Sequence, residues 1–324
     1  MGVLGRFMVG VTKCLPKFFI ASVGRRYVAG NDIESAVAVM KKLSSEGACF
    51  TIDVLGEEIS NVEEAQFFID EYDRVLDAIV DNNLDANLSI KPTAFGLLIN
   101  QKKAYANIER LLRNAAENDI FVRLDMEDYR VTQPTIDIVL AMHAKGLRNV
   151  GTVLQSRLFR TSEDIDTICD QLDGAADFRI CKGVYLEHES ISRTGYRPIV
   201  DAMNEHIDQI LDRGAYAGVA SHDWPVIKHT LAALEARGMA PDNPDPRDGC
   251  GEPRPGKGPG YEFQMLLGVR GNIRRRLAKE GHPTRIYVPY GERWYEYSMR
   301  RLDENPDVAM HIVRSIFMPW TNRR

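Results

Sequence analysis

Apolar residues along this chain follow two alternating rhythms. Short, compact apolar runs read as strands: CFTIDV (49–54), NLSIK (87–91), IFVRLD (120–125), NVGTVLQ (149–155), DFRICK (177–182), YAGVAS (216–221), FQMLLG (263–268) and TRIYV (284–288). Between them the apolar positions recur at helical spacing. Asn31–Asp32 can cap a first helix through about 46, with Ile33, Val37, Met40 and Leu43 on one side and Gly47 ending it. Further helices are predicted over 61–82, 102–117, 133–146, 161–172 (capped by Thr161 or Ser162), 197–213, 224–237 and 270–280. A turn is expected at Pro289–Gly291, then a helix through about 305, and an amphipathic segment at 306–318.

Eight strands, each followed by a helix, stand roughly 20 to 47 residues apart. That spacing suits parallel strands with right-handed helical crossovers. Eight such units in under 300 residues predict an α/β fold, a (β/α)8 TIM-type barrel; a doubly wound open sheet is the alternative. The expected organisation is a basic arm over 1–30 and a single barrel domain over 31–324.

Composition narrows the possibilities. Hydrophobic residues make up 44% of 324, enough for one large core. Net charge is −5, which argues against a nucleic-acid partner. Five cysteines without a CxxC imply neither a disulfide framework nor a zinc knuckle, and suit a reducing compartment such as the cytoplasm. No metal site is expected. No apolar run reaches the length of a membrane-spanning helix. Residues 1–30 carry Arg6, Lys13, Lys17, Arg25 and Arg26 and no acid, so this arm could touch anionic lipid, serve as a targeting segment, or pack on the body. The Pro/Gly-rich stretch 241–260 nearly matches a phosphate loop but has glycine where the metal-binding hydroxyl belongs, and prolines where amide donors are needed. On a barrel it falls opposite the active face.

The chemistry gathers where barrel strands end. Asp53 and Glu57, Lys91, Asp125, Gln155, Arg179 and Lys182, Ser221 and His222, Gln264, and Tyr287 put a polar or charged group at nearly every strand terminus. In the helix after the last strand, Tyr297, Arg300, Arg301 and Glu304 share one face. Paired guanidiniums are planar forks suited to a carboxylate or phosphate. Together with Lys91, Arg179 and Lys182 they predict a site for an anion.

In combination, DVLGE (53–57), IK (90–91), LDME (124–127), VLQ (153–155), RICKGVY (179–185), ASHD (220–223), YEFQMLLG (261–268) and YxxRRxxEN (297–305) resemble the proline dehydrogenase family, in order and over most of the chain. The resemblance implies a distorted barrel with an N-terminal helical arm and a C-terminal helix, holding FAD at the strand ends. It implies oxidation of L-proline to pyrroline-5-carboxylate, with electrons passed to a membrane quinone. A pyrroline-5-carboxylate dehydrogenase partner and peripheral contact with the inner face of a membrane would accompany it.

By position, Arg300, Arg301 and Lys91 would bind the proline carboxylate. Asp125 and Tyr287 would brace the site, and Tyr297 and Leu266 would enclose the ring. Arg179 would lie near the reactive edge of the flavin. Gln155, Lys182, Gly183, Val184, Ser221, His222 and the backbone of Met126 would hold FAD, and Glu57 would pair with Arg300 as a lid. One departure is Ser156-Arg157 after Gln155, which adds a cation near the flavin. The residues leave other readings open: a dehydrogenase for a related imino acid such as hydroxyproline, an aldolase-type barrel with Lys91 or Lys182 as Schiff-base lysine, and a non-catalytic binding or regulatory barrel.

Overall fold

The computed structural model describes residues 26–172, 174–243, 245–247, 260–295 and 297. In chain order the elements are α1 (Ile33–Ser44), β1 (Cys49–Val54), α2 (Ala65–Asp81), β2 (Ala86–Ile90), α3 (Gln101–Glu117), β3 (Val122–Leu124), α4 (Tyr129–Ala144), β4 (Val150–Gln155), α5 (Thr161–Leu172), β5 (Asp177–Cys181), α6 (Tyr196–Asp212), β6 (Tyr216–Ala220), α7 (Trp224–Ala236), β7 (Tyr261–Leu266), α8 (Gly271–Lys279) and β8 (Thr284–Tyr290). The strands are parallel and close in sequence order, with β8 returning to β1 from Cys49 opposite Arg285 to Val54 opposite Tyr290. This is the (β/α)8 barrel, and the open-sheet alternative falls.

Alternation along each strand sorts the side chains. Phe50, Ile52, Leu88, Ile90, Val122, Leu124, Ile286 and Val288 face the helices in one apolar arc, and Phe178, Ile180, Ala217, Val219, Phe263 and Met265 in a second. The lumen receives the other set. Thr51, Asp53, Ser89, Arg123, Asp177, Arg179, Glu262, Gln264 and Arg285 are all buried. Barrels of this class are commonly filled by branched apolar side chains; this one is filled by polar groups, most of them bonded to one another, with Thr51 Oγ1 and Asp53 Oδ2 left without a partner. At its lower end Arg285 donates through Nε to both oxygens of Glu262, each at 2.9 Å, and through Nη1 to the Phe50 carbonyl at 2.6 Å. Arg123 pairs with the Asp177 carboxylate and donates to the carbonyls of Asp177 and Thr152 at 2.7 and 3.0 Å.

Local differences from the expected elements have local causes. α4 begins four residues before the expected 133, capped by Asp128, whose Oδ1 accepts from Arg130 N at 2.9 Å; Pro134 sits inside the helix. Neither Thr161 nor Ser162 caps α5: Thr161 donates to the Gln155 carbonyl at 2.6 Å, and Ser162 to Gln209 at 3.0 Å. β7 starts at Tyr261, earlier than expected, because Glu262 is a buried lumen residue paired to Arg285. β8 continues through Pro289 to Tyr290, where a turn was expected, and pairs with β1 throughout. The described parts of the 241–260 stretch lie at the end of the barrel away from the site, where Arg247 donates to the carbonyls of Leu211 and Ala215 at 3.0 and 2.9 Å. Among the described residues, no helix is long and apolar enough to cross a membrane.

Candidate active site

The site is built on Asp125, the residue after β3. Its Oδ1 accepts from Arg179 Nη1 at 2.7 Å and from Ser89 Oγ at 2.6 Å; its Oδ2 accepts from Tyr287 at 2.8 Å. One carboxylate thus joins side chains from β2, β5 and β8 across the lumen. Arg179 also donates through Nε to Gln264 Oε1 at 2.5 Å and lies over the Tyr287 ring, 5.2 Å from its centre. Planar stacking and a forked donor together fix the guanidinium. Lys91 donates to Asp53 Oδ1 at 2.6 Å and lies 3.9 Å from Asp125 Oδ2.

Burial governs the charges here. It pushes the Asp53 carboxyl up to about 6, with the Lys91 ammonium opposing the shift and Asp125 adding to it. Burial alone would pull the Lys91 ammonium down, but Asp53 and Asp125 more than offset this and hold it above its ordinary value. Burial likewise lifts the Tyr287 phenol well above its usual range, with Asp125 and Asp53 reinforcing the shift. Tyr287 therefore remains a hydrogen-bond donor at any ordinary pH.

The described cations of the expected anion site each face a carboxylate. Lys91 has Asp53, Arg179 has Asp125, and Lys182 has Asp223 at 2.6 Å. A buried cation without a counter-charge is costly, and Lys91 and Arg179 each have one; Lys182, 38% exposed, gains less from its pair. Arg300, Arg301 and Glu304, on which the anion-binding expectation also rests, lie outside the described residues. So does the Arg300 half of the expected lid pair. Glu57 is half-buried beside the site, near enough to raise the proton affinity of Lys91 and of Glu127.

Tyr297 is buried against Val28 and Leu55. Leu266 ends β7, and its N–H donates to His222 Nε2 at 3.0 Å, which fixes the imidazole at the rim. Ser221 Oγ accepts from Asp223 N at 3.1 Å. Val184 is exposed and Met126 buried. Arg157 is not a loose cation: its Nη1 donates to the Tyr185 carbonyl, and its stem lies 3.1 Å from where a Cβ on Gly183 would stand.

The far side of the site has the features of a cofactor cradle. Gln155 Nε2 donates to the Glu127 carbonyl at 2.7 Å, while Gln155 Oε1 is buried with no partner. Ser156 Oγ and Arg157 Nε are also buried and unpartnered. Gly183 has φ +96°, and a Cβ there would stand 2.6 Å from Gln155 Oε1. Orphaned buried polar atoms are rare in a finished core, and three in a row beside an obligatory glycine fit a polar planar ligand such as a flavin.

Sequence reading assigned no specific role to four residues of this constellation. Ser89 sits in mid-strand, where only lumen-facing alternation would reveal it. Asp53 and Gln264 were visible as polar strand ends, but their partners were not. Glu127 is buried, with its carboxyl pushed up to about 7 by burial, and nothing in its spacing announces that.

Comparison with known proteins places this geometry. The family model described as Proline dehydrogenase matches residues 36–314. Proline dehydrogenase 1 of Bacillus subtilis subsp. natto is 35% identical over 292 residues, covering 90% of each chain. The proline dehydrogenase of Deinococcus radiodurans is 29% identical over 299 residues, covering 91% of this chain and 90% of that one. Among solved structures, proline utilization A from Bdellovibrio bacteriovorus, inactivated by N-propargylglycine, has a TM-score of 0.78 at 21% identity, covering 94% of this chain and 34% of that one, a likeness of fold. With a closed eight-stranded barrel, a family match along most of its length and relatives matched nearly end to end, the chain belongs to the proline dehydrogenase family, oxidoreductases of proline catabolism.

Proposed function

We propose that this protein oxidises L-proline to pyrroline-5-carboxylate, with FAD as resident cofactor and a membrane quinone as the onward acceptor. The observation that carries the reading is the Asp125 hub, which locks Arg179, Ser89 and Tyr287 into one rigid constellation beside the Lys91–Asp53 pair. The cofactor supplies the hydride acceptor. The protein's own groups bind, orient and exclude water. Lys91, Arg300 and Arg301 clamp the carboxylate; Asp125 and Tyr287 brace the site; Tyr297 and Leu266 enclose the ring; Glu57 and Arg300 close over it.

Orientation of this kind converts binding into rate. Arg179, pinned on two sides, would hold a fixed positive charge beside the bound cofactor without reorganising. Gln155, Lys182, Gly183, Val184, Ser221, His222 and the Met126 backbone would hold FAD. In this reading Asp125 and Arg179 are the residues closest to the chemistry, and no protein nucleophile is needed. The protein works in the cytoplasm, peripherally at a membrane surface, and a separate pyrroline-5-carboxylate dehydrogenase consumes the product.

The test is the visible spectrum of protein reconstituted with FAD, before and after anaerobic L-proline. Bleaching of the flavin band is expected. A bound flavin that proline leaves oxidised would overturn the substrate, and failure to bind FAD would overturn the cofactor. Arg300→Ala and Arg301→Ala should each weaken proline binding by about tenfold or more, the loss of a charged hydrogen-bonded partner.

A further inference from the structure

Four successive strand ends are tied by one chain of hydrogen bonds that includes none of the groups assigned to substrate except through their neighbours. Glu127 lies two residues beyond Asp125 and is 4% exposed. Its Oε1 accepts from Thr93 N at 3.1 Å, and its Oε2 accepts from Thr93 Oγ1 at 2.5 Å. Thr93 Oγ1 in turn accepts from Glu58 N at 3.0 Å. The Glu127 carbonyl accepts from Gln155 Nε2 at 2.7 Å.

Each link has a consequence. Thr93 stands in the 3-10 turn Pro92–Phe95, directly after Lys91, and Lys91's carbonyl accepts from Ala94 N at 3.0 Å. Fixing Thr93 by both its N–H and its hydroxyl fixes the backbone from which Lys91 reaches Asp53. Glu58 has φ +43°, a strained conformation for a residue with a Cβ, and its N–H is held by Thr93. That bond positions the segment carrying Glu57. At the other end, a carbonyl can only accept, so the Glu127 carbonyl settles which way the Gln155 amide points. Nε2 is consumed, and Oε1 is left bare as an acceptor for a ligand N–H.

We propose that Thr93 and Glu127 form a positioning clasp that couples the substrate side of the site, Lys91 and Glu57, to its cofactor side, Gln155. The clasp rests on the functional reading above. Neither residue is placed in contact with substrate or cofactor; both act through the residues they hold. Thr93's hydroxyl has one proton, which it gives to Glu127, and it accepts from Glu58, so valine at 93 breaks both bonds at once while keeping the shape. Serine keeps both. Glutamine at 127 preserves size but turns one acceptor into a donor facing the Thr93 hydroxyl.

Two dissociation constants read the clasp: FAD with the apoprotein, by quenching of flavin fluorescence, and tetrahydrofuran-2-carboxylate with the FAD-loaded protein, by perturbation of the flavin spectrum. That probe is the oxygen analogue of proline and has no amine to oxidise. Thr93→Val should raise both constants, each about tenfold. Thr93→Ser should restore both, Glu127→Gln should move both, and the Thr93→Val/Glu127→Gln double variant should be no worse than the poorer single, because the two residues act as one unit. If Thr93→Val does not fold, Glu127→Gln against wild type decides the question by the same two constants.

A change in only one constant, additive effects, or a lowered melting temperature with both constants unchanged would overturn the clasp. Serine no better than valine would do the same. If wild-type protein bleaches with proline while the variants bind both ligands normally, the clasp alone fails. If the wild type binds no FAD, the functional reading fails and the clasp with it.

Discussion

Two layers of charge share one lumen and behave as opposites. In the lower layer Arg285 sits on Glu262, and Arg123 on Asp177, with carbonyls of Phe50, Thr152 and Asp177 taking further donors. In the upper layer Arg179, Lys91, Asp125 and Asp53 make a looser set in which Asp53 Oδ2 is buried with no partner. The same strands carry both, two residues apart: Arg123 below Asp125, Asp177 below Arg179, Glu262 below Gln264, Arg285 below Tyr287. Gln264 is the seam, accepting from Arg179 and donating to Glu262 at 2.6 Å. The lower ionic groups are saturated by the protein itself and have nothing to offer a ligand. The upper layer keeps capacity in reserve. An ion pair in a barrel is thus structural or functional according to whether the protein alone completes it.

That contrast can be broken in order of effect. Glu262→Leu strands the Arg285 charge in a closed layer and should cost about 3–5 kcal/mol of stability by denaturant unfolding, with the kinetic constants of the folded fraction little changed. A loss of only a few tenths, or a collapse of KM at full stability, would erase the distinction. Asp125→Asn keeps the shape of the hub but faces donors with a donor. It should cut kcat/KM by about two orders of magnitude or more while lowering stability by only about 1–2 kcal/mol.

The pH dependence sharpens the same division. With its carboxyl near 6, Asp53 takes up a proton as pH falls through that value and Lys91 loses its main counter-charge. An acid limb in kcat/KM near pH 6 is expected, and Asp53→Asn should remove it. Stability moves the other way. The folded carboxyl lies above its unfolded value near 4, so the folded state binds more protons between roughly pH 4 and 6, and this group's cost of burial is relieved as pH falls. The smallest effect belongs to a pair in neither layer. Arg197, 83% exposed and bonded to Asp201, should cost under about 0.5 kcal/mol when changed to alanine, which sets the baseline for ion pairs in water.

Most of the architecture was legible in the chain because alternation of apolar runs and amphipathic stretches is a one-dimensional signal. The failures share a cause. The start of β7 was hidden because Glu262 looks like a loop residue until Arg285 is seen opposite it, and the end of β8 was hidden because Pro289 normally breaks a strand. At the site, the positions of Asp125, Arg179, Tyr287 and Gln155 at strand ends were readable from their place after apolar runs. The neutralising partners were not, since Asp53 for Lys91 and Asp223 for Lys182 are matched only through closure of the barrel. Thr93 and Glu127 escaped for the same reason: each is an ordinary polar residue whose burial follows from the turn that brings them together.

The apolar arcs and the lumen ion pairs divide the chain differently, with a consequence for divided chains. One arc is made by α1–α4, β1–β4 and β8, the other largely by β5–β7 and α5–α8. A break in the chain between β4 and β5 would leave each fragment much of its own oily seam, yet would part Arg123 from Asp177 and Asp125 from Arg179. Neither fragment could bury its orphaned charge alone. Each would have reason to hold a collapsed, hydrated form until it met the other, and recombination rather than separate folding would restore the barrel.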